Sequence, residues 1–406
     1  MLRSVSYPSV FRVAFCLAAL FSARNLGLGM DEPAPPGDDA PKILPRVEVT
    51  AVVPLVKVAD YRMREARFAP AAVADGDFIY IIGGSNSGNV TLDSIERFNV
   101  RTGVSENFAK LNIGRLAHGA IVAGGKIYVL GGKSVQLRPA GSPRGGEFDI
   151  ARPYLNNPDA RPYFEPTVED RFRAIREQEL HGIDAADPVQ NLSGLELESS
   201  MEVVDLATRR VTRGAGLPEA RAAFACVEFG GKIYAIGGQV ERGSTLAHSG
   251  AMAVFDLATG KWSRGAPMPT PRDSAAAWVD GGFIIVPGGY NGRVALDVVD
   301  VFNPRQGTWR NLPPLCHPVS AHSLAFLGHY LFLFGNYDSP EELIAYDLFS
   351  KESASFTLDY KSARHTAAVV HEGKIYVMGG KVYRSSEALD YIQVFTLRKK
   401  DDVRRP

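Results

Sequence analysis

The sequence has few of the residues that build several common kinds of functional site. It contains three cysteines among 406 residues, and Cys226 and Cys316, the two outside the N-terminal segment, are too few for a disulfide framework. Lys and Arg together number 45, as do Asp and Glu, so the overall charge gives no support for a nucleic-acid partner or a polybasic membrane contact. The eight histidines lack the paired spacing of metal ligands, and no G-x-S-x-G motif occurs. We therefore expect neither a metal nor a cofactor.

Long apolar runs are also rare, and the one near the N-terminus has a specific interpretation. Residues 13–21 form an uninterrupted apolar run after Arg3 and Arg12, and no acidic residue precedes Asp31. A short apolar core behind basic residues is typical of a secretory signal peptide, here residues 1–29, and is too short for a stable membrane span. A mitochondrial presequence remains the alternative. We expect a secreted or periplasmic protein whose mature chain has no membrane span.

Glycine pairs after short apolar runs are what the sequence has in abundance. The stretches "GKIYVLGG", "GKIYAIGG" and "GKIYVMGG" are nearly identical, and three weaker copies accompany them. The first glycines of the six copies are Gly83, Gly131, Gly237, Gly288, Gly335 and Gly379. They lie 44 to 51 residues apart, apart from one interval of 106, and this period is typical of a repeated blade. Further strands follow the glycines rather than helices, which disfavours a phosphate-binding loop.

Each unit has the same internal order. An arginine stands 15 or 16 residues before the glycine, a small apolar stretch and a turn such as "AGGK" follow, and the two short strands form a hairpin. A third strand ends in Asp or Asn, and a fourth carries an aromatic or aliphatic residue such as Trp262. This order resembles the kelch repeat over about residues 53–397. The fifth unit departs most, with Asn336 for the second glycine and Val319 where the arginine is expected.

The kelch resemblance implies an all-β fold, a six-bladed β-propeller with four antiparallel strands per blade around a central channel. The sixth unit ends after its third strand, "YIQVFTL", whereas an extra strand, residues 52–58, precedes the first unit. We expect this N-terminal strand to complete the last blade, which leaves no open edge. The propeller would then occupy residues 47–398, between a flexible linker at 30–46 and a charged tail at 399–406.

The resemblance places the repeated arginines and the loops after the glycines at the same mouth of the channel. The arginines are Arg67, Arg115, Arg221, Arg272 and Arg364. They are candidates to bind an acidic ligand through their planar guanidinium groups. The alternative interpretation is that each bonds backbone carbonyls between blades. His118 and His322 share a register at the top of the channel lining and are further candidates, with an ordinary hydrogen-bonded lining residue as the alternative.

The long interval holds an insertion, residues 133–198. It begins with "RPAGSPRGG", becomes aromatic, and then contains a capped helical pattern at residues 167–182. An insertion of this length is either a lid over a pocket or an excursion without structure of its own. Its aromatic residues and its capped helix favour the lid.

Two functions agree with these features. The first is a non-catalytic module, expected to be a monomer, that binds a protein or a glycan at the channel mouth. The alternative is a carbohydrate-active enzyme similar to the sialic-acid mutarotases, which needs a carboxylate and arginines converging at the mouth. Glu165, Glu169 and Asp170 of the insertion are candidate carboxylates without a supporting motif. We favour the binding module, because the fold alone does not determine the activity, and we assign no catalytic residue.

Overall fold

A computed structural model describes residues 54–134, 195–243 and 245–398. Four of the sequence-based expectations lie outside the described residues. They are the signal peptide at 1–29, the linker at 30–46, the helix at 167–182 and the tail at 399–406. Throughout the described ranges the regular structure is β-strand, without a helix.

The strands follow one another in groups of four. The described chain begins with β1 (Leu55–Arg62). The first blade contains β2 (Ala71–Asp75), β3 (Phe78–Ile82), β4 (Ser94–Asn99) and β5 (Val104–Lys110). The second contains β6 (Gly119–Ala123), β7 (Lys126–Leu130), the short β8 (Lys133–Ser134) and β9 (Glu196–Leu197), β10 (Met201–Asp205) and β11 (Val211–Arg213).

The remaining blades repeat this arrangement. The third contains β12 (Ala225–Phe229), β13 (Lys232–Ile236), β14 (Gln239–Arg242), β15 (Thr245–His248), β16 (Met252–Asp256) and β17 (Lys261–Gly265). The fourth contains β18 (Trp278–Asp280), β19 (Phe283–Pro287), β20 (Val299–Asn303) and β21 (Thr308–Leu312). The fifth contains β22 (Ser323–Leu327), β23 (Tyr330–Phe334), β24 (Glu342–Asp347) and β25 (Ser353–Thr357). The sixth contains β26 (Ala367–His371), β27 (Lys374–Met378) and β28 (Tyr391–Leu397).

Six four-stranded antiparallel sheets form the propeller, as the sequence predicts. Within a blade the strands lie in chain order, and the first strands β2, β6, β12, β18, β22 and β26 contact one another in a closed ring. β1 pairs with β28 from Leu55 opposite Leu397 to Arg62 opposite Tyr391. The N-terminal strand therefore completes the last blade, which confirms the predicted closure. It runs to Arg62, four residues beyond the predicted end.

The hydrophobic core is divided among the junctions between blades. Six clusters of buried side chains each combine residues of two neighbouring blades. Between blades 1 and 2, for example, Tyr80 and Ile82 pack with Ile127 and Val129. Each blade therefore buries both faces of its sheet against its neighbours, and the ring of junctions holds the six sheets together.

The glycine pairs are required where the second strand of a blade meets the next blade. Gly131 and Gly132 have φ values of 58° and 97°, a backbone conformation that disfavours residues with a Cβ atom. A Cβ atom on Gly131 would also lie 2.7 Å from the carbonyl oxygen of Arg221. The amide N–H of Gly132 donates to that same oxygen at 2.9 Å. The repeated glycines are thus structural.

The insertion has a paired base. β8 and β9 pair antiparallel, with Lys133 opposite Leu197 and Ser134 opposite Glu196. They bring together the two points where the chain leaves the second blade and returns to it. The described residues include no helix long and apolar enough to cross a membrane.

Candidate functional site: the loop face around the channel

The propeller has two faces with different connections. The loop face carries the connections from the second to the third strand of each blade and the segments that lead into the first strands. The turn face carries the tight turns between strands one and two and between strands three and four. Both assignments follow from the antiparallel order of the strands. Loops on a rigid scaffold are the usual place for binding residues, so the loop face is the first candidate for a site.

A ring of backbone hydrogen bonds surrounds the channel mouth on the loop face. It joins one residue per blade: Ala69, Ala117, Ala223, Ser274, Ala321 and His365. Each has a φ value between 49° and 56°, which is unusual for residues other than glycine. Each amide N–H donates to the carbonyl oxygen of the corresponding residue in the preceding blade, at 2.8 to 3.0 Å, and the first blade bonds to the sixth. The six bonds form a closed circle, which we call the backbone ring.

The channel itself is lined by small and aliphatic side chains. A cavity of about 410 Å³ lies between the first strands, beside Ala72, Ala120, Val227 and Val369. Toward the loop face, the residues of the backbone ring border a smaller cavity of about 110 Å³. The channel narrows at the mouth because the main chain of all six blades converges there.

Arg67 lies buried beneath the loop face and holds its own blade together. Its Nη1 donates to the carbonyl oxygen of Gly83 at 2.8 Å, and its Nη2 donates to a Glu96 carboxylate oxygen at 2.5 Å. The Glu96 carboxylate also accepts the backbone N–H groups of Arg64 and Glu65, at 2.7 and 3.1 Å. The arginine and the glutamate have almost no exposed surface. This buried cluster ties the start of the blade to the end of its second strand.

Arg115 makes the corresponding contacts in the second blade. Its guanidinium donates to the Gly131 carbonyl oxygen at 2.9 Å and to Glu202 at 2.8 Å. Burial lowers the pKa of Arg115, an effect that the neighbouring carboxylates of Glu202 and Glu198 oppose. A guanidinium enclosed in this way needs its carboxylate, because an unpaired buried charge is strongly destabilising.

Arg221 and Arg272 are buried in the same position in the next two blades. Arg272 donates to Asp300 at 2.6 Å and to the carbonyl oxygen of Val286 at 2.9 Å. Arg221 donates to the Gly237 carbonyl oxygen at 3.1 Å. In both residues burial lowers the pKa of the guanidinium. These contacts favour a structural role within each blade, and ligand binding by the arginines stays a prediction.

Arg364 does not share the register of the other four arginines, contrary to the sequence alignment. Its backbone exchanges hydrogen bonds with Lys381 as Phe68 does with Ser85 in the first blade. Ala363 occupies the position that the arginine has in the first four blades, which we call the arginine register. Its carbonyl oxygen lies against Gly335 as that of Arg115 lies against Gly83. The sequence alignment was wrong because it assigned Arg364 to the arginine position although it lies one residue closer to the glycine, and it explained the difference by a shorter turn. The Arg364 side chain is buried, with its Cζ 4.2 Å from the centre of the Tyr337 ring.

His118 and His322 share one register and border the cavity at the mouth, as expected. Their rings pack against Gly83 and Gly288 of the preceding blades. Burial, together with nearby Arg115 and Arg67, lowers the pKa of His118 to about 3. Burial and Arg272 lower the pKa of His322 to about 3 as well. Both imidazoles are therefore neutral at physiological pH and pack as uncharged rings between blades.

The side chains that vary most between blades lie on one constant backbone pairing. In five blades the residue after the arginine register pairs with the residue after the glycine pair, and in the fifth a single backbone bond joins the same two positions. The six pairs are Phe68 and Ser85, Leu116 and Lys133, Ala222 and Gln239, Asp273 and Tyr290, Ser320 and Tyr337, and Arg364 and Lys381. We call these twelve positions the variable register. All of these side chains except Tyr290 are buried, so the fixed backbone places different chemistry in each blade directly beneath the loop face.

Blade 4 contributes an acidic group to the variable register. Asp273 is buried, and its Oδ2 lies 2.6 Å from Nδ1 of His248, at the end of the β14–β15 hairpin. The Tyr290 ring stands edge-on to the imidazole, 5.5 Å away between ring centres. Burial raises the pKa of the Tyr290 hydroxyl, and the charges of Asp273 and Asp338 add to this effect.

Blade 6 contributes cationic groups to the same register. Arg364 and Lys381 are adjacent through their backbone bonds, at 3.1 and 2.8 Å. Both side chains are buried, and aromatic rings surround them. Nζ of Lys381 lies 5.3 Å from the centre of the Phe68 ring, and the Arg364 Cζ lies 5.9 Å from that of Tyr383. Positive charge beside aromatic faces is stabilised when water is excluded.

The base of the insertion adds polar groups beside blade 2. Glu198 accepts hydrogen bonds from the hydroxyls of Ser134 and, at 3.0 Å, Ser200. Lys133 is buried next to Ser134. Within the described ranges, no cluster of three or more His, Cys, Asp or Glu side chains has the arrangement of a metal site.

Sequence reasoning missed the variable register because it followed the residues that repeat. The signal was nevertheless present. The residues that follow the glycine pairs include Ser85, Lys133, Gln239 and Lys381, which differ in size and charge directly after a constant motif. A position that changes in every repeat, beside one that does not, indicates where the scaffold ends and recognition begins.

Comparison with known proteins agrees with this architecture. The KLHDC2/KLHL20/DRC7 Kelch-repeats domain matches residues 190–336, and the Kelch motif matches residues 66–112. The chain is similar to spermatocyte protein spe-26 of Caenorhabditis elegans, with 35% identity over 28% of this chain and 20% of that protein. It is also similar to Kelch-like protein 25 of Xenopus tropicalis, with 28% identity over 44% of this chain and 32% of that protein. Beta-scruin of Limulus polyphemus matches with 22% identity over 54% of this chain and 25% of that protein.

These matches cover a limited part of each relative. The chain spans between 20% and 32% of the length of these three proteins. They therefore support the assignment of the repeated domain, and they do not indicate which partners this chain binds. The repeats in the sequence, the six closed blades and the two family matches together show that the chain is a kelch-repeat β-propeller protein.

Proposed function

We propose that this propeller is a binding module that recognises a partner protein through its loop face. The observation that carries the proposal is the variable register, which places different, largely buried side chains on the same backbone pairing in each blade, directly beneath the loop face. Its similarity to kelch-like proteins supports the same reading. The scaffold beneath is closed and rigid, so a partner meets a preorganised surface, which lowers the entropic cost of binding.

The finer part of the proposal is that an acidic group of the partner binds beside blade 6. Lys381 and Arg364 bring two cations together, whereas no other pair of the variable register carries more than one. Within the described ranges, no carboxylate lies at ion-pair distance from Lys381. A carboxylate or phosphate that reaches the buried Lys381 would gain charge-assisted hydrogen bonds in a site with little water.

The test uses anions of defined chemistry, because the partner is unidentified. Thermal unfolding of the protein would be followed with acetate, citrate, inorganic phosphate and an Asp/Glu-rich peptide. A ligand at a hundred times its Kd stabilises the native state by about 2.7 kcal/mol. We expect at least one anion to raise the Tm of the wild type and to lose this effect in Lys381→Gln, the residue type that blade 3 carries at Gln239.

The matched control is Lys374→Gln, which removes a lysine from the turn face of the same blade. We expect it to respond to the anions like the wild type. An anion that stabilises Lys381→Gln as much as the wild type would remove the acidic site from the proposal. The broader protein-binding role would then need a site elsewhere on the loop face.

The enzymatic alternative has less support. It requires a carboxylate that meets two arginines at the mouth, whereas Glu96, Glu202 and Asp300 each pair with one arginine beneath the surface. The candidate carboxylates Glu165, Glu169 and Asp170 lie outside the described residues. Glycan binding likewise stays a prediction from the sequence.

Secretion or periplasmic export is a further proposal, supported by the basic and apolar N-terminal segment. N-terminal sequencing of the protein from its native source tests it. A mature chain that starts near residue 30, recovered outside the cytoplasm, is the expected result. Recovery from mitochondria would favour the presequence instead.

A further inference from the structure

An aromatic pair projects from the turn face of blade 5. Phe349 is 83% exposed, and the other large hydrophobic side chains exposed within the described ranges are valines at 58% or less. The His329 imidazole lies parallel to the Phe349 ring, with ring centres 5.0 Å apart and an interplanar angle of 17°. His329 is also 4.1 Å from the ring centre of Tyr330. We call Phe349 and His329 the aromatic knob.

Both members of the aromatic knob depart from the repeat. Phe349 follows the first residues of the turn between strands three and four, where the other blades carry Arg101, Ala207, Ala258 and Arg305. His329 occupies the second turn position between strands one and two, where they carry Asp77, Gly125, Gly231, Gly282 and Gly373. The two positions are 20 residues apart in sequence. Within the described blades, blade 5 alone carries aromatic rings at these two turn positions.

A cleft adjoins the aromatic knob. It has a volume of about 220 Å³ and lies between the turns of blades 4 and 5. Phe283, Leu312 and Leu348 provide apolar walls, and the charged residues at its sides are Asp280, Arg310 and Lys351. Leu348 and Lys351 belong to the same turn as Phe349, so the aromatic knob and the cleft are parts of one patch. The Arg310 guanidinium carbon lies 5.4 Å from the Phe283 ring centre.

We propose that this patch is the contact between two copies of the chain, related by a two-fold axis. A two-fold contact uses the same patch on both subunits, so a projecting group and a recess on one patch fill each other twice. The Phe349 ring of each copy enters the cleft of the other, beside Phe283 and Arg310. Aromatic and arginine side chains are the residues that most often dominate such contacts.

The charges of the patch complement one another in this arrangement. Glu352 is exposed on the turn that carries the aromatic knob, whereas Arg310 is exposed beside the cleft. When the aromatic knob of one copy enters the cleft of the other, Glu352 approaches Arg310 of the other copy, and the two-fold axis repeats the pair. The sequence-based expectation was a monomer, so the proposal adds an association that the sequence did not suggest.

The test is sedimentation equilibrium of the whole chain over about a hundredfold range of protein concentration, wide enough to move the monomer–dimer equilibrium visibly. We expect the weight-average mass of the wild type to rise with concentration toward that of a dimer. Phe349→Ala introduces the residue that blades 2 and 3 carry at Ala207 and Ala258, so the fold should tolerate it. We expect it to weaken association at least about tenfold. Val294→Ala, an exposed valine of the loop face, is the matched control.

An exchange of charges between the two residues distinguishes a specific contact from nonspecific association. Arg310→Glu and Glu352→Arg are each expected to weaken association, and the double variant is expected to restore it, because the pair is re-formed with reversed signs. A wild type that remains monomeric over the whole range overturns the proposal. So does a wild-type dimer that Phe349→Ala leaves intact, since the contact would then lie elsewhere.

Discussion

Blades 1 and 5 have the same strands but stabilise the same position in opposite ways. In blade 1, Arg67 and Glu96 form a buried ion pair at 2.5 Å. In blade 5, Val319 and Ile344 occupy the corresponding positions within one hydrophobic cluster. Between these two blades the pairing changes as a unit, whereas blade 3 carries Ala253 at the position of Glu96 and pairs Arg221 with Glu219 at 3.4 Å. A buried ion pair and a well-packed apolar pair of similar volume are often close in free energy, whereas removing one partner of a buried pair is strongly destabilising.

Blade 5 also replaces the other contact of the arginine. In blade 1 the guanidinium bonds the Gly83 carbonyl oxygen and so ties the start of the blade to its second strand. In blade 5 the Asn336 amide bonds the Pro318 carbonyl oxygen at 3.4 Å and accepts the Ser320 N–H at 3.3 Å. Asparagine is possible there because, unlike Gly84 and Gly132, residue 336 does not have a positive φ. The two departures that the sequence shows in this unit, at Val319 and Asn336, are thus linked structurally.

The largest effect on stability is expected when one partner of the blade 1 ion pair is removed. Glu96→Ala leaves the buried Arg67 with only the partly exposed Glu65 carboxylate, 3.5 Å away, and deprives two backbone N–H groups of their acceptor. We expect a loss of about 3–5 kcal/mol in the free energy of unfolding, measured by urea denaturation. The control, Glu106→Ala, breaks the exposed pair with Arg97 in the same blade and should cost at most about 1 kcal/mol. Equal losses in the two variants would contradict the distinction.

A smaller effect, which depends on pH, is expected when His118 is replaced by a ring that does not titrate. The pKa of His118 falls from about 6.5 to about 3 on folding, so the native state favours the neutral imidazole. Its contribution to stability is complete above pH 6.5 and is lost as the pH falls toward 3. His118→Phe copies Phe224, which holds this register in blade 3.

The measurement is the free energy of unfolding of wild type and His118→Phe against pH. Below the unfolded pKa, we expect the wild type to lose up to about 1.4 kcal/mol more per pH unit than the variant. Parallel curves between pH 6 and pH 4 would show that His118 takes up its proton equally in both states.

The smallest effect on stability is expected when the apolar pair of blade 5 replaces the ion pair of blade 1. The double variant Arg67→Val/Glu96→Ile removes both charges together. We expect its free energy of unfolding to stay within about 1 kcal/mol of the wild type, far above that of Glu96→Ala. A double variant as unstable as the single one would show that blade 1 is maintained by the backbone hydrogen bonds of Arg67 and Glu96 rather than by their opposite charges.

The sequence predicted the blade number and the closure because both depend on local, repeated signals. The glycine pairs mark the end of each second strand at a regular interval, and the extra strand before Met63 has one free edge to join. The sequence did not reveal which carboxylates pair with the arginines. Glu96 and Glu202 lie 29 and 87 residues after Arg67 and Arg115, across loops of unequal length, so no fixed spacing indicates the pairing.

The candidate site was harder to predict for the same reason. Arg364 stood near the expected spacing, and only its backbone bonds to Lys381 show that it belongs to the variable register. The role of Asp273 depends on its contact with His248, which lies on the hairpin of the neighbouring blade 3 and has no fixed spacing from it in the repeat. Where the chain departs from the repeat, three-dimensional contacts decide the role of a residue, and periodicity carries no information about them.

The backbone ring gives the channel mouth a width that mutation of side chains does not alter. Its six peptide groups are joined head to tail, so the opening is set by the number of blades and by the length of one hydrogen bond. Ser274 and His365 replace alanine there without interrupting the circle. Residues at the mouth are therefore free to diversify in size and polarity while the aperture stays constant. A change in the number of blades is the alteration that would resize it.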